Sequence, residues 1–288
     1  MFRSLWDDIQ QQFRQGNMIT RLVLINIGVF VIINLSWLVL KASSGGSEEL
    51  YRTVIHYLCL SSSPWEILTR PWTPFTSMFL HESFWHILWN MLFLYWFGRI
   101  VGDLIGDHKI LPMYLMGGLV GGLAFVLSDL VIGYGGTGAT YALGASGAVM
   151  GLVMSAGVLT PDYEMRLILI GNVKLKYIVA VILFFDIIGL GSNVNTGGHF
   201  APLGGALFGY LYIYYLRRGR DLARPYYNFI DWLAEPGGKK QPDFKVFSNK
   251  KQSSSTSRKK KKDKVSQKRI DAILDKIKKD GYDSLTKE

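Results

Sequence analysis

The chain has 288 residues, of which 49% are hydrophobic, and a formal net charge of +10. This composition is too varied for a fibrous protein, and residues 1–220 are too apolar for an ordinary soluble domain. The single cysteine, Cys59, excludes an intrachain disulfide and any CxxC metal or redox site, so a buried apolar role is expected for it.

Long apolar runs are the main feature of the first 217 residues. About 20 apolar residues cross the bilayer core as a helix. Five runs meet or approach this length, and a sixth is shorter and rich in small residues: 20–41, 82–105, 110–133, 175–191 and 199–216, with 144–160 as the short one. The sequence predicts an integral, multi-pass, all-α membrane protein with six transmembrane helices. The first run is too long for a signal-peptide core, so we expect it to be retained.

The orientation of these helices follows from the basic residues near their ends. Arginine and lysine precede the first run, lie between the second and third and between the fourth and fifth, and follow the sixth. The loops 134–143 and 189–198 carry no charge. Both termini are therefore predicted to be cytoplasmic, with residues 1–19 as an N-terminal segment. The long first loop, 42–75, is rich in Trp and Pro and is expected to form short interfacial helices.

The positive charge belongs to the C-terminal tail. Residues 217–288 hold 21 Lys and Arg against 10 Asp and Glu, whereas residues 1–216 hold 11 against 12. Residues 218–264 are predicted to be a basic, largely disordered cytoplasmic linker, and 265–288 to contain a short amphipathic helix. A basic run close to the membrane is attracted to anionic lipid. Nucleic acid is the alternative partner, but no aromatic or fold motif accompanies the lysines, so none is expected.

Three polar residues in the second apolar run are candidates for function, because polar groups inside a bilayer are costly unless they are satisfied. These residues are His81, His86 and Asn90. Zinc proteases use HExxH, with two histidines four residues apart on one helical face, but here the histidines are five apart. No metal or other cofactor is therefore predicted. His86 and Asn90 do share a face and could stabilise a transient anion, or they could join helices by hydrogen bonds.

The stretch GASGAVMG, residues 144–151, is the strongest local signal. Gly144 and Ala145 let the backbone pass closely around Ser146, which would leave peptide N–H groups free as donors. Gly147 and Gly151 have the GxxxG spacing that permits close helix contact, and 205–209 in the sixth run has the same spacing. Contact between these faces would bring Ser146 near residues 199–202. A serine in a simple packing motif is the alternative.

Three motifs together resemble those of the rhomboid intramembrane serine proteases. HESFWHILWN resembles the family's HxxxxHxxxN, GASG resembles its nucleophile motif, and APLGGALFG resembles its AHxGG motif. Their order and spacing agree with the family over residues 15–217, so the resemblance implies a six-helix membrane domain over 20–217. The long first loop is also typical of the family.

The resemblance also implies a reaction and site residues. The reaction is cleavage of transmembrane or juxtamembrane segments of membrane proteins by a cofactor-free Ser/His dyad. By position, Ser146 would be the nucleophile, with Gly144 and Gly147 as supporting residues. His86, Asn90 and the Ser146 backbone N–H would form the oxyanion hole. His81 would be a structural residue beside it.

The sequence departs from the family at the base of the dyad. The family's catalytic histidine lies two residues before the GG pair, where this chain has Pro202, and His199 lies three residues earlier. In one account the last helix begins near Pro202, and His199 reaches Ser146 from the glycine-rich segment before it. In the other, His199 lies on the helix, displaced by about 4.5 Å along its axis and 60° around it, and is out of reach.

The two accounts lead to different functions. With His199 as a displaced base, the chain is a serine endopeptidase of the membrane, with full or weakened activity. Without a base, it is a catalytically inactive relative that binds membrane-protein clients. A small-solute transporter is disfavoured, since the sequence shows no internal repeats or pairs of interrupted helices.

Overall fold

The computed structural model describes residues 2–43, 48–133, 138–167, 170–191, 196–234 and 271–279. Its helices are α1 (Phe2–Gln15), α2 (Met18–Ser43), α3 (Glu48–Leu58), α4 (Pro64–Thr69), α5 (Thr73–Thr76), α6 (Phe84–Ile105), α7 (Ile110–Ile132), α8 (Ser146–Leu159), α9 (Leu175–Gly189), α10 (Thr196–Leu216) and α11 (Arg224–Ala234). Its short strands are β1 (Leu60–Ser61), β2 (Tyr141–Ala142), β3 (Glu164–Leu167) and β4 (Gly171–Lys174). Both pairs, β1–β2 and β3–β4, are antiparallel.

Each of the six predicted apolar runs contains one helix, in the order α2, α6, α7, α8, α9 and α10. Within the described residues, two helices are long and apolar enough to cross a membrane by length and composition, Met18–Ala42 and Asp107–Ile132. Ser146–Leu159 is a shorter apolar helix. Large apolar side chains are exposed along α2, α7 and α9, for example Leu38, Leu130 and Phe185.

Helix α8 forms the centre of the bundle. It packs against α6, α7 and α10, and its side chains Leu152, Val153 and Ala156 are fully buried. Helix α2 packs on α6, and α9 lies against α8 and α10. This central helix is short, and Ser146 is its first residue.

Glycines allow α8 and α10 to touch along their backbones. A Cβ atom built on Gly205 would overlap the carbonyl oxygen of Gly147, and one on Gly209 would overlap that of Gly151. The predicted contact between the two GxxxG faces is therefore confirmed. Helix α7 also approaches α8 closely, since a Cβ on Gly121 would lie 3.1 Å from the Gly147 Cα. Small residues thus let three helices converge at the start of α8.

The first loop folds into the short helices α3, α4 and α5, as the sequence predicts. Strand β1 of this loop pairs with β2 of the segment just before α8, so the loop is attached beside Ser146. Cys59 is buried next to β1, and this burial raises the pKa of its thiol to about 12. The thiol is therefore kept protonated and inert at neutral pH, as the expected buried role requires.

Two terminal segments contain helices that the sequence analysis did not predict. Residues 1–19, predicted only as a cytoplasmic segment, contain α1, and 218–264, predicted to be a largely disordered linker, contain α11. The rest of that linker, from 235 onward, lies outside the described residues. A separate unit, 237–288, has a helix over 271–279, inside the segment predicted to be helical. The β3–β4 hairpin between α8 and α9 was not predicted either.

A mostly buried ion pair holds the turn after α10 against the start of α7. Lys109 Nζ contacts the Asp221 carboxylate, which also accepts a hydrogen bond of 2.9 Å from the Tyr212 hydroxyl and one of 2.9 Å from the Ala223 amide. Burial raises the pKa of Asp221, but these hydrogen bonds outweigh it and hold the pKa below its usual value. The pair therefore stabilises the fold above the unfolded-state pKa of the carboxyl, and this stability is lost as pH falls through the folded-state value.

Asp221→Asn is expected to lower the free energy of unfolding by about 2 kcal/mol at pH 7, because it leaves the Lys109 ammonium without its charge partner. Denaturation with SDS in mixed micelles would measure the loss. Asp103→Asn is the matched control, since the Asp103–Arg99 pair is exposed and 4.0 Å long, and it should cost under about 0.5 kcal/mol. Equal losses for the two variants would contradict a stabilising role for the Lys109 pair.

Candidate functional site

A cavity of about 300 Å³ lies at the start of α8 and contains Ser146. Its walls come from five parts of the chain. These are the first loop, the turn that leads into α6, the helix α7, the segment that leads into α8, and the helix α10. The residues that line it are mostly small or polar: Leu60, Ser77, Met78, Glu82, Ser83, His86, Gly118, Gly122, Tyr141, Ala142, Leu143, Gly144, Ser146, Gly147, Gly198 and Ala201. Three of the predicted motifs therefore meet at one cavity.

Gly144 directs the chain into α8 so that Ser146 becomes its first residue. Its φ angle of +122° is a conformation that side chains disfavour, which is why glycine stands here. The Gly144 N–H donates to the Ser77 carbonyl at 2.8 Å, which ties the segment before α8 to the end of the first loop. The first N–H groups of a helix have no acceptor within the helix, and that of Ser146 is one of them.

His86 lies against Gly144 on the wall of the cavity. A Cβ atom on Gly144 would be 2.8 Å from both Cε1 and Nε2 of His86 and 3.9 Å from Ser146 Oγ. Because glycine has no Cβ atom, the His86 imidazole and the Ser146 hydroxyl can both lie beside residue 144. Ser83 caps α6 by accepting a hydrogen bond from the His86 N–H at 3.2 Å, which fixes where the helix presents this histidine.

The other two polar residues of the HxxxxHxxxN motif do not line the cavity. Asn90 is buried, and its amide nitrogen donates to the His86 carbonyl at 2.9 Å, one helical turn back. The ring of His81 meets that of His86 edge to face, with centroids 5.0 Å apart. His81 is also buried, and neither of its ring nitrogens has a hydrogen-bond partner among the described residues. Both residues therefore contact His86 rather than Ser146.

Helix α10 begins six residues before Pro202, at Thr196, so Pro202 lies inside the helix. The account in which the helix starts near Pro202 and His199 precedes it is therefore wrong. A Cβ atom on Gly121 of α7 or on Gly147 of α8 would lie 2.6 Å or 3.2 Å from the Ala201 carbonyl oxygen, so these glycines let α10 approach closely just before Pro202. Pro202 is buried, while Gly198 and Ala201 of the same helix line the cavity.

His199 lies on α10 and contacts α9. Its Nδ1 is 3.4 Å from Asp186 Oδ1, and its ring packs on Gly189, where a Cβ atom would overlap it. His199 is not among the residues that line the cavity, although it stands next to Gly198 in the chain. Of the predicted catalytic and supporting residues, the fold brings Ser146, His86, Gly144 and Gly147 together in one cavity.

Glu82 and Tyr141 are among the cavity residues that the sequence did not single out. The Tyr141 ring stacks on His56 with centroids 4.2 Å apart, and its hydroxyl donates to a Glu66 carboxylate oxygen at 3.1 Å. Tyr141 reaches the cavity because β2 pairs with β1, a contact without a sequence signal. Glu82 had a signal, since it lies inside the HESFWH motif, but it was considered only as part of a zinc site.

The comparison with protein families decides the assignment. The model of the Rhomboid domain matches residues 68–219 of the chain, which include the whole cavity except Leu60. The chain belongs to the rhomboid family. It is therefore an integral membrane protein of the all-α class, and the resemblance read from the three motifs is confirmed.

Several curated rhomboids are similar to this chain. The mitochondrial presenilin-associated rhomboid-like protein of Rattus norvegicus is 30% identical over 174 residues, which is 58% of this chain and 43% of the relative. The mitochondrial Rhomboid protein 1 of Saccharomyces cerevisiae is 26% identical over 151 residues, 51% and 42% of the two chains. The putative rhomboid protease YdcA of Bacillus subtilis is 28% identical over 143 residues, 49% and 66%. The rhomboid described here thus spans less than half the length of the first two relatives.

Proposed function

We propose that this rhomboid binds transmembrane or juxtamembrane segments of membrane proteins at the Ser146 cavity, and that its serine endopeptidase activity is absent or strongly weakened. The observation that carries the second part is the position of His199. Its ring contacts Asp186 and Gly189, outside the cavity, while Pro202 occupies the place of the family's base. A serine hydroxyl without a base is a poor nucleophile at neutral pH.

The binding part of the proposal rests on what the cavity keeps. Ser146, His86 and the free N–H groups at the start of α8 offer hydrogen-bond donors to a peptide carbonyl. The cavity volume of about 300 Å³ lies at the lower end of the range for ligand pockets, so it can take a short stretch of peptide. A site of this kind recognises a peptide even when no bond is cleaved.

A slow endopeptidase is the second candidate function, favoured by one observation. His86 lies within van der Waals distance of the position that a Gly144 side chain would occupy, as does Ser146 Oγ. This arrangement places an imidazole and the candidate nucleophile in one cavity. With His86 serving as the base, the oxyanion hole would be reduced to the Ser146 N–H, and Asn90 would orient the turn of α6 that carries His86.

The membrane topology completes the proposal. Helices α2, α6, α7, α8, α9 and α10 would be the six spans of a multi-pass protein, with both termini in the cytoplasm and the Ser146 cavity facing the opposite side. The first loop would then lie at the outer membrane interface. The basic tail would contact anionic lipid on the cytoplasmic side, and we expect no nucleic-acid partner.

Labelling of Ser146 by a fluorophosphonate tests the catalytic part. The wild-type protein in micelles is expected to label no faster than Ser146→Ala, and His199→Ala should change nothing, because that ring contacts α9. Wild-type labelling that His199→Ala abolishes would show that His199 is the base, contrary to the proposal. Labelling that survives His199→Ala but is lost in His86→Ala would favour the slow endopeptidase.

A further inference from the structure

Among the residues that line the cavity, one has an acidic side chain, Glu82. Glu82 lies in the turn between the 3₁₀ segment Ser77–Phe79 and α6, and it is exposed. No lysine or arginine is among the described residues that line this cavity. The field at its wall is therefore negative, and a bound cation would lower the energy of the Glu82 carboxylate.

Among the described residues, Glu82 has no basic partner within 4.0 Å. The ion pairs there involve other acidic side chains, among them Glu66, which pairs with Arg70 at 3.6 Å. The positive charge of Arg70 is thus already paired with the Glu66 carboxylate. The Glu82 carboxylate is the group that remains available to a ligand.

Tyr141 adds a second group that favours a cation. Its ring lines the same cavity and is held by the stack on His56 and by the hydrogen bond to Glu66. A fixed aromatic ring attracts lysine ammonium and arginine guanidinium groups that approach its face. Glu82 from the turn before α6 and Tyr141 from β2 reach the cavity from two different elements, so the fold rather than sequence proximity brings them together.

We propose that Glu82 determines which segments the cavity accepts, by selecting those that carry lysine or arginine at the membrane boundary. This inference rests on the proposed function, since it names the segment class that the Ser146 cavity would bind. Bound peptide backbone beside Ser146 places its flanking side chains on the cavity wall, where Glu82 and Tyr141 lie. A segment with acidic flanks would instead bring like charges together and bind more weakly.

Binding of three synthetic single-span peptides tests the inference. They share one Leu/Ala core and differ only in the pair of residues at the outer boundary, which is Lys-Lys, Gln-Gln or Glu-Glu. With the full chain in phosphatidylcholine nanodiscs, fluorescence anisotropy is expected to show the Lys-Lys peptide binding about fivefold more tightly than the Gln-Gln peptide. Glu82→Gln should remove this preference. Glu82→Lys should reverse it in favour of Glu-Glu.

Glu49→Gln is the matched control, because Glu49 is an exposed carboxylate on α3 that does not line the cavity. It should keep the wild-type preference. A preference that survives Glu82→Gln, or equal binding of all three peptides to wild type, would overturn the role of Glu82 and leave the proposed function standing. If none of the three peptides binds, the proposed function itself is overturned.

Discussion

Pro202→His is expected to raise the rate of Ser146 labelling by a fluorophosphonate about 100-fold over wild type, with peptide cleavage rising in parallel. Position 202 lies on α10 between Gly198 and Gly205, the first of which lines the cavity while the second contacts α8. A histidine there has the position of the family's base. General-base catalysis contributes about 10²–10⁴-fold to such reactions, so even imperfect geometry would give a large gain.

Two variants separate the imidazole from the backbone effect of this change. Removing proline returns an N–H to α10, whose acceptor would be the carbonyl four residues back, at Gly198. Pro202→Ala makes that change without adding a base, and it should label at the wild-type rate. Pro202→His with Ser146→Ala should not label at all. If Pro202→Ala labels as fast as Pro202→His, then helix geometry and not a missing base limits the serine.

Gly205→Ala is expected to destabilise the protein by about 3 kcal/mol or more. The added methyl would overlap the Gly147 carbonyl oxygen. This oxygen belongs to the backbone of the central helix α8, so it cannot move aside by a change of side-chain rotamer. Overpacking of this kind costs about 1–3 kcal/mol where side chains can adjust, and more where backbones must separate. Separation of α8 from α10 would also widen the cavity beside Ser146.

Gly28→Ala is the matched control for this change. Gly28 also lies in a long apolar helix, α2, but a Cβ atom there would meet nothing within 4 Å. Alanine should be neutral or slightly stabilising at this position, because it favours the helix. Unfolding by SDS in mixed micelles, followed by tryptophan fluorescence, would measure both variants. Similar midpoints for Gly205→Ala and wild type would show that α8 and α10 can part without cost.

Periodicity and run length made the helices predictable. Local composition decides whether an apolar run is long enough to cross a bilayer. Each of the six predicted runs contains one helix. The contact between α8 and α10 was also predictable, because glycines four residues apart mark where backbones can meet. The helix α11 and the β3–β4 hairpin were not predicted. Helix α11 follows the turn held by the Lys109–Asp221 contact, which joins residues 112 positions apart, and β3–β4 is a short hairpin that apolar run length does not address.

The functional site, like the fold, could be predicted from the sequence only in part. The amino-acid sequence by itself determined that Ser146 stands in a nucleophile-like motif and that proline replaces the family's base at position 202. It left open where His199 lies, because the residue three positions before a proline can lie either in the helix or in the segment that precedes it. Only the packed structure decided this, since the start of α10 at Thr196 turns the His199 ring towards Asp186 on α9. Likewise, only strand pairing placed Tyr141 beside Glu82, because a cavity wall depends on contacts between distant segments that no local pattern records.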